Sequence, residues 1–268
     1  MNKKALIKKH EPHPRFKHYI QCYWTLNCSD NNIDAIYRTN LDAGLLLIFN
    51  LFDPIECVVD EASRITIAGD FMVGALAKRI EIKPTGSISL FAVQFTPEGL
   101  YPFLSMPPVD LSNFCVELEE VWELNGLGVS KQIHSAGQTP ETLIQTFEGF
   151  FARRMNAFRK HSLSVEKAVT IIRAHKGQIP IETLANQLQI SSRHLERKFT
   201  ERIGVPPKQL CRIFRLKNVL INLSPTESNW SALAVANGYF DQAHFIHEFQ
   251  FFTGKSPIIY STAASSQR

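Results

Sequence analysis

In the stretch SRHLERKFTERI, Arg193, Glu196, Arg197 and Thr200 recur every three or four residues, so on a helix they share one face. Such a row suits the major groove of DNA, where an arginine can bridge O6 and N7 of guanine with two hydrogen bonds. Arg193, Glu196 and Arg197 are the candidate base readers here. Ser192, Lys198 and Arg202 suit phosphate contacts, which position a protein on a duplex without reading sequence. Taken alone, the residue types fit a solvated charged face equally well. A second stretch, GYFDQAHFIHEFQFFTG, repeats the arrangement with fewer cations. Gln242 and His247 stand outward as candidate base contacts, and Lys255 just beyond is a candidate phosphate contact. His244 and His247 lie three apart beside Glu248, which is not H-E-x-x-H. With no further His or Cys nearby to complete a zinc set, no metal is expected.

Other chemistries find little support. The five cysteines (Cys22, Cys28, Cys57, Cys115, Cys211) form no C-x-x-C pair and read as reduced, mostly buried thiols. The histidines before residue 160 are His10, His13, His18 and His134, none of them within residues 33–96. No G-x-S-x-G elbow or phosphate-cradling glycine loop occurs. No catalytic residue and no cofactor are expected. The competing readings are an enzyme or alkyl-transfer protein carrying a DNA-binding domain, and a protein–protein adaptor.

The elements that must hold the two polar rows are legible from apolar spacing and caps. Residues 164–177 begin at a serine, end at a glycine, and place Val165, Ala168, Val169 and Ile172 on one face. Pro180 opens a helix with Leu184, Ala185 and Leu188 inward. A tight turn follows, Ser191 caps the next helix, Leu195, Phe199 and Ile203 face the core, and Gly204 ends it. This is a helix-turn-helix, in which small Ala185 permits a close crossing. The plan recurs: residues 230–237, a turn at Gly238–Phe240, an Asp241 cap, then Phe245, Phe249 and Phe252 inward and Gly254 at the end. A long helix over residues 207–223 joins the units and fixes their separation. Both reading helices can meet one face of a duplex if they enter successive major grooves, about 34 Å apart.

The first part of the chain reads differently. Residues 19–28, 44–52, 55–60, 64–71 and 88–96 are short and rich in β-branched and aromatic residues, with turn formers between them, which suggests a small barrel or sandwich. Short helices are expected over 116–125 and 129–136, and a long one over 139–161 with Leu143, Phe147, Phe150, Phe151 and Met155 along its apolar stripe. Trp24, Phe49, Phe71, Phe91 and Phe95 are the candidates for a ligand pocket inside the barrel, or for its filled core.

Charge divides along the same line. Residues 1–150 hold 12 Lys and Arg against 18 Asp and Glu, whereas residues 151–268 hold 17 against 7. A basic second part fits a polyanionic partner. No run of 18 apolar residues occurs, and the basic N-terminus lacks the apolar segment of a secretory signal, so a cytoplasmic protein without a membrane partner is expected.

Residues 164–260 resemble the AraC family of bacterial transcription regulators. The resemblance rests on IETLANQLQISSRHLERKFTERIGVPPKQLCRIFRLKNVLINL and, more specifically, on ALAVANGYFDQAHFIHEFQFFTGKSPIIY. There Ala234, Gly238, Phe240, Asp241, His244-Phe245, Phe249 and Gly254-Lys255-Ser256-Pro257 follow the family pattern. Tyr239 before Phe240 departs from it and predicts a turn one residue longer, His247 stands where arginine is common, and Asn222 where leucine is common. The resemblance implies an α+β multidomain chain: a cupin-like β-barrel sensor or dimerisation domain with helices over 1–158, and an all-α DNA-binding domain with two helix-turn-helix units over 159–268. It also implies double-stranded DNA as partner, with a small-molecule effector, a homodimer, and RNA polymerase if the protein activates.

Overall fold

The structure, a computed structural model, describes residues 6–28, 36–38, 44–60, 63–74, 80–99, 101, 104, 106–111, 115–121, 123–155, 163–224 and 229–265. The expected domain boundary at 158/159 and the end of the expected 139–161 helix lie outside the described residues.

Two antiparallel sheets make up the first part. One has six strands in the order β1 (Leu6–His10), β2 (Ile20–Cys28), β9 (Ile88–Phe95), β4 (Leu46–Asn50), β7 (Phe71–Val73), β10 (Cys115–Glu117). The other has four, β3 (Ile36–Arg38), β8 (Ile80–Pro84), β5 (Ile55–Asp60), β6 (Ser63–Ile67). Strand β9 is buried along its whole length and shows why. Successive side chains leave a strand on opposite faces. Ile88, Leu90 and Ala92 therefore enter the core between the sheets, while Phe91, Val93 and Phe95 enter the core under the helices. Strand β4 alternates likewise, with Leu46 and Ile48 on one side and Leu47 and Phe49 on the other. The helix covering that second face is α3 (Pro140–Met155), which buries Leu143, Phe147, Phe150 and Phe151. Phe147 and Phe151 stack at 5.8 Å, and Phe147 meets Phe49 and Phe95 edge-on.

Two local expectations change. Cys115–Glu117 is an edge strand paired with β7 rather than the start of a helix, because Leu118 N–H is held by Asp70 C=O at the strand end. Helices α1 (Leu118–Val121) and α2 (Glu123–Ser135) follow, so the two short helices expected over 116–125 and 129–136 are divided elsewhere. Cys22, Cys57, Cys115 and Cys211 are buried and unbridged. The Cys115 thiol donates to Cys57 Sγ at 2.9 Å across the sheets, and that contact with burial holds its pKa far above the usual range.

The second part is helical: α4 (Leu163–Ala174), α5 (Ile181–Gln187), α6 (Ser192–Ile203), α7 (Pro207–Asn222), α8 (Trp230–Ala236), α9 (Gln242–Thr253) and α10 (Pro257–Ser265). One apolar core runs through both helix pairs, from Val165 and Ile172 through Leu195 and Phe199 to Leu210, Leu216, Phe245 and Phe249. No helix among the described residues is long and apolar enough to cross a membrane.

Candidate nucleic-acid interface

Helices α6 and α9 are built alike, fifty residues apart. Ser191 Oγ accepts from His194 N–H at 3.2 Å, and Asp241 Oδ1 accepts from His244 N–H at 2.7 Å. Each cap satisfies a donor that a helix start leaves unpaired, worth about 1 kcal/mol. Gly204 and Gly254 end the helices at φ 88° and 70°, left-handed values that a Cβ disfavours. Leu195, Phe199 and Ile203 are buried in α6; Phe245, Phe249, Phe252 and Thr253 are buried in α9. Burial of these faces turns the intervening positions outward. Arg193, Glu196 and Arg197 are exposed, as are Gln242 and His247 in α9, while Ser192, Lys198 and Lys255 are half-buried.

Arg197 is not idle in the free protein. Its Nη1 donates to Glu201 Oε1 at 2.6 Å, and its Nη2 lies 3.5 Å from His194 Nδ1. Lys198 Nζ is 3.7 Å from the same Glu201. An exposed pair of this kind is worth at most about 1 kcal/mol, so the arginine can exchange the carboxylate for a base edge at little cost. Arg202 is placed differently from the other candidates. Its guanidinium sits 3.9 Å from the ring centroid of Tyr101, and the short turn Pro108–Leu111 packs on α6 beside it. It therefore touches the first part of the chain instead of extending the open row of Arg193 and Arg197.

In α9 the residue at the position of Lys198 is Glu248, and it is buried. Arg212 of α7 reaches it at 3.5 Å, and His244 Nε2 at 3.3 Å. The other His244 nitrogen, Nδ1, accepts from Phe240 N–H at 3.4 Å. His244 thus serves structure, bridging the turn to the ion pair. The turn before α9 is one residue longer than the turn before α6. Ile190 N–H closes on Ala185 C=O, and Tyr239 N–H on Ala234 C=O, both at 3.1 Å, so Tyr239 takes the place of Ile190. Phe240 then stands between Tyr239 and the Asp241 cap with no counterpart before Ser191, and it is 88% exposed. Residue-type reading missed Glu248 and Arg212 because their pairing crosses from one helix to another.

The five candidates for a barrel pocket do not surround one space. Phe49, Phe91 and Phe95 lie on the helix side of the six-stranded sheet, whereas Phe71 and half-buried Trp24 lie on the side facing the other sheet. A cavity of about 410 Å³ instead opens where the two parts of the chain meet. Lys17, Arg173, Lys176 and Lys217 supply its charge, and Ile20 and Phe214 part of its apolar wall. Burial pushes the Lys217 ammonium below the ordinary lysine range, with Lys9 adding to the shift. Beside the cavity, Arg173 pairs with buried Glu98 at 3.6 Å, and His18 lies 3.7 Å from Glu166. No sequence spacing announces this cavity, since its cations come from three separate segments.

Family models match in two places: one described as a helix-turn-helix domain over residues 184–263, the other as a domain of unknown function, DUF6597, over residues 8–117. Curated relatives include uncharacterized HTH-type transcriptional regulators of Staphylococcus aureus strains MSSA476 and N315, each 28% identical over 82 residues. Those matches cover 31% of this chain but 11% of each relative's length. Among solved structures, ToxT from Vibrio cholerae is similar in fold, with a TM-score of 0.50 at 14% identity, covering 89% of this chain and 97% of that one. The C-terminal domain of AraT, a response regulator from Geobacillus stearothermophilus, is 27% identical with a TM-score of 0.36, over 38% of this chain and 86% of its own. With two helix pairs on one plan, lying almost wholly within the matched span, residues 184–263 are a helix-turn-helix domain.

Proposed function

We propose that the chain is a sequence-specific transcription regulator that presents α6 and α9 to successive major grooves of one duplex. The observation that carries this is the repeat: two helices with matched caps and buried faces, each leaving a polar row exposed, joined by the rigid α7. Arg193, Glu196 and Arg197, with Gln242 and His247, contact bases; Ser192, Lys198 and Lys255 contact phosphates. Arg202 reaches phosphate only if it leaves Tyr101. The reading assigns the chain no reaction, and a DNA partner fits a cytoplasmic location. A homodimer through the first part, and contact with RNA polymerase if the protein activates, belong to the same proposal.

The effector site in this reading is the cavity between the two parts. Four cations around an apolar wall suit a small carboxylate or phosphate carrying a hydrophobic body. Such a ligand acts on DNA binding only through a difference in affinity between the competent and incompetent arrangements. The contact of Arg202 with Tyr101 links the end of α6 to the first part and offers a route for that difference. Selecting duplexes from a random pool with the full chain tests the reading. A site with two sequence elements about one helical turn apart is the expected result, and recovery of no enriched sequence rejects it.

A further inference from the structure

Phe240 is a large apolar side chain held out in water by a turn that does not yield. The residue before it, Tyr239, is buried with its ring edge-on to His244 and Phe245 at 5.4 and 5.2 Å. The residue after it, Asp241, caps α9. Its own N–H is bound to His244, which is braced by Glu248 and, through it, by Arg212 of the connector. At 88% exposure Phe240 contributes little to the core and is open to a partner. The first unit has no such residue.

The neighbouring exposed positions state what partner chemistry fits. Where α6 offers Arg193, Glu196 and Arg197, α9 offers exposed Ala243 and His247, with Ile246 half-buried against the core, and residues 242–254 contain no Lys or Arg. A reading helix contacts base edges with its N-terminal residues. There the distinctive apolar feature of the major groove is the C5-methyl of thymine, and glutamine, such as Gln242, pairs bidentately with adenine. Resting on the regulator reading above, we infer that the two units read different chemistry: α6 a guanine-bearing element, and α9 an A·T-rich element whose thymine methyls are contacted by Phe240 and Ala243.

Replacing thymine by deoxyuridine removes that methyl and leaves the hydrogen-bonding edge unchanged, which isolates the contact. Anisotropy titrations of the full chain on its selected duplex, and on versions with deoxyuridine in either element, provide the readout. Each contacted methyl should be worth about fourfold in affinity, the effect of one buried CH2-sized group, and only in the element read by α9. Phe240→Ala should bind the thymine duplex correspondingly more weakly and lose its sensitivity to deoxyuridine, with an unchanged Tm. Full methyl sensitivity in Phe240→Ala, or indifference of the wild type to deoxyuridine, overturns the inference. Unchanged DNA affinity in the variant also does so, and hands the side chain to a protein partner. A wild-type chain that selects no sequence removes the regulator reading as well; a selected site indifferent to methyl groups removes this inference alone.

Discussion

Arg197 and Lys198 are neighbours in sequence with different assignments, and that difference can be measured. Arg197 is exposed and lightly tethered to Glu201, free to swing to a guanine. Arg197→Ala should cost about 1–3 kcal/mol on the selected site and relax preference at one base position. Equal losses on specific and random duplexes would show that the side chain reads no base. Lys198 is more covered, its side chain 26% exposed. Lys198→Ala should weaken both kinds of duplex alike and lower the salt slope by about one counterion; an unaltered slope in a salt titration would deny it a phosphate. His247 stands in α9 at the position equivalent to Arg197.

At the scale of elements, burial and capping carry the helical part. Leu195 is fully buried between α6 and the rest of the core. Leu195→Ala should therefore destabilise by about 2–5 kcal/mol, seen as a shifted denaturant midpoint. Elements of this sort were legible from sequence because each helix announces itself locally, with Ser191 and Asp241 at one end, Gly204 and Gly254 at the other, and a 3.6-residue apolar period between. Strands β2, β4, β5 and β9 were legible for the same local reason, whereas β1, β3 and β8 were not, and the expected strand over 64–71 divides into β6 and β7 of different sheets. What escaped were relations between elements. The β10 edge depends on pairing with β7, more than forty residues earlier. Phe49 and Phe71 read as equivalent interior aromatics until the strand register sends them to opposite sides of a sheet. Nothing in its sequence neighbourhood marks Glu248 as buried, since its partner Arg212 comes across from α7.

Over the whole molecule, the junction between the two parts combines charge with burial. Burial raises the Glu98 carboxyl above its ordinary range despite Arg173 at 3.6 Å, which pulls the other way. A carboxyl whose folded pKa is raised binds its proton more tightly folded than unfolded. Its contribution thus favours the folded junction in mild acid and falls as pH rises from the unfolded pKa through the raised one. Glu98→Gln, which mimics the protonated form, should flatten that part of the Tm–pH profile and hold or raise Tm at pH 7. A large fall in Tm at pH 7 would mean that the ionised form is the one the junction needs.

The lean of Arg202 on Tyr101 has a consequence for anyone who would shorten the chain. An excised helical half, residues 163–268, lacks the aromatic seat on which the end of its first reading helix rests. That arginine would then be released toward solvent, and the fragment should grip random duplexes more tightly than the intact protein while discriminating less between sequences. Comparing the two on matched and scrambled DNA checks this. Such a fragment would report how strongly the helices can hold a polyanion, and only the intact protein how they are aimed.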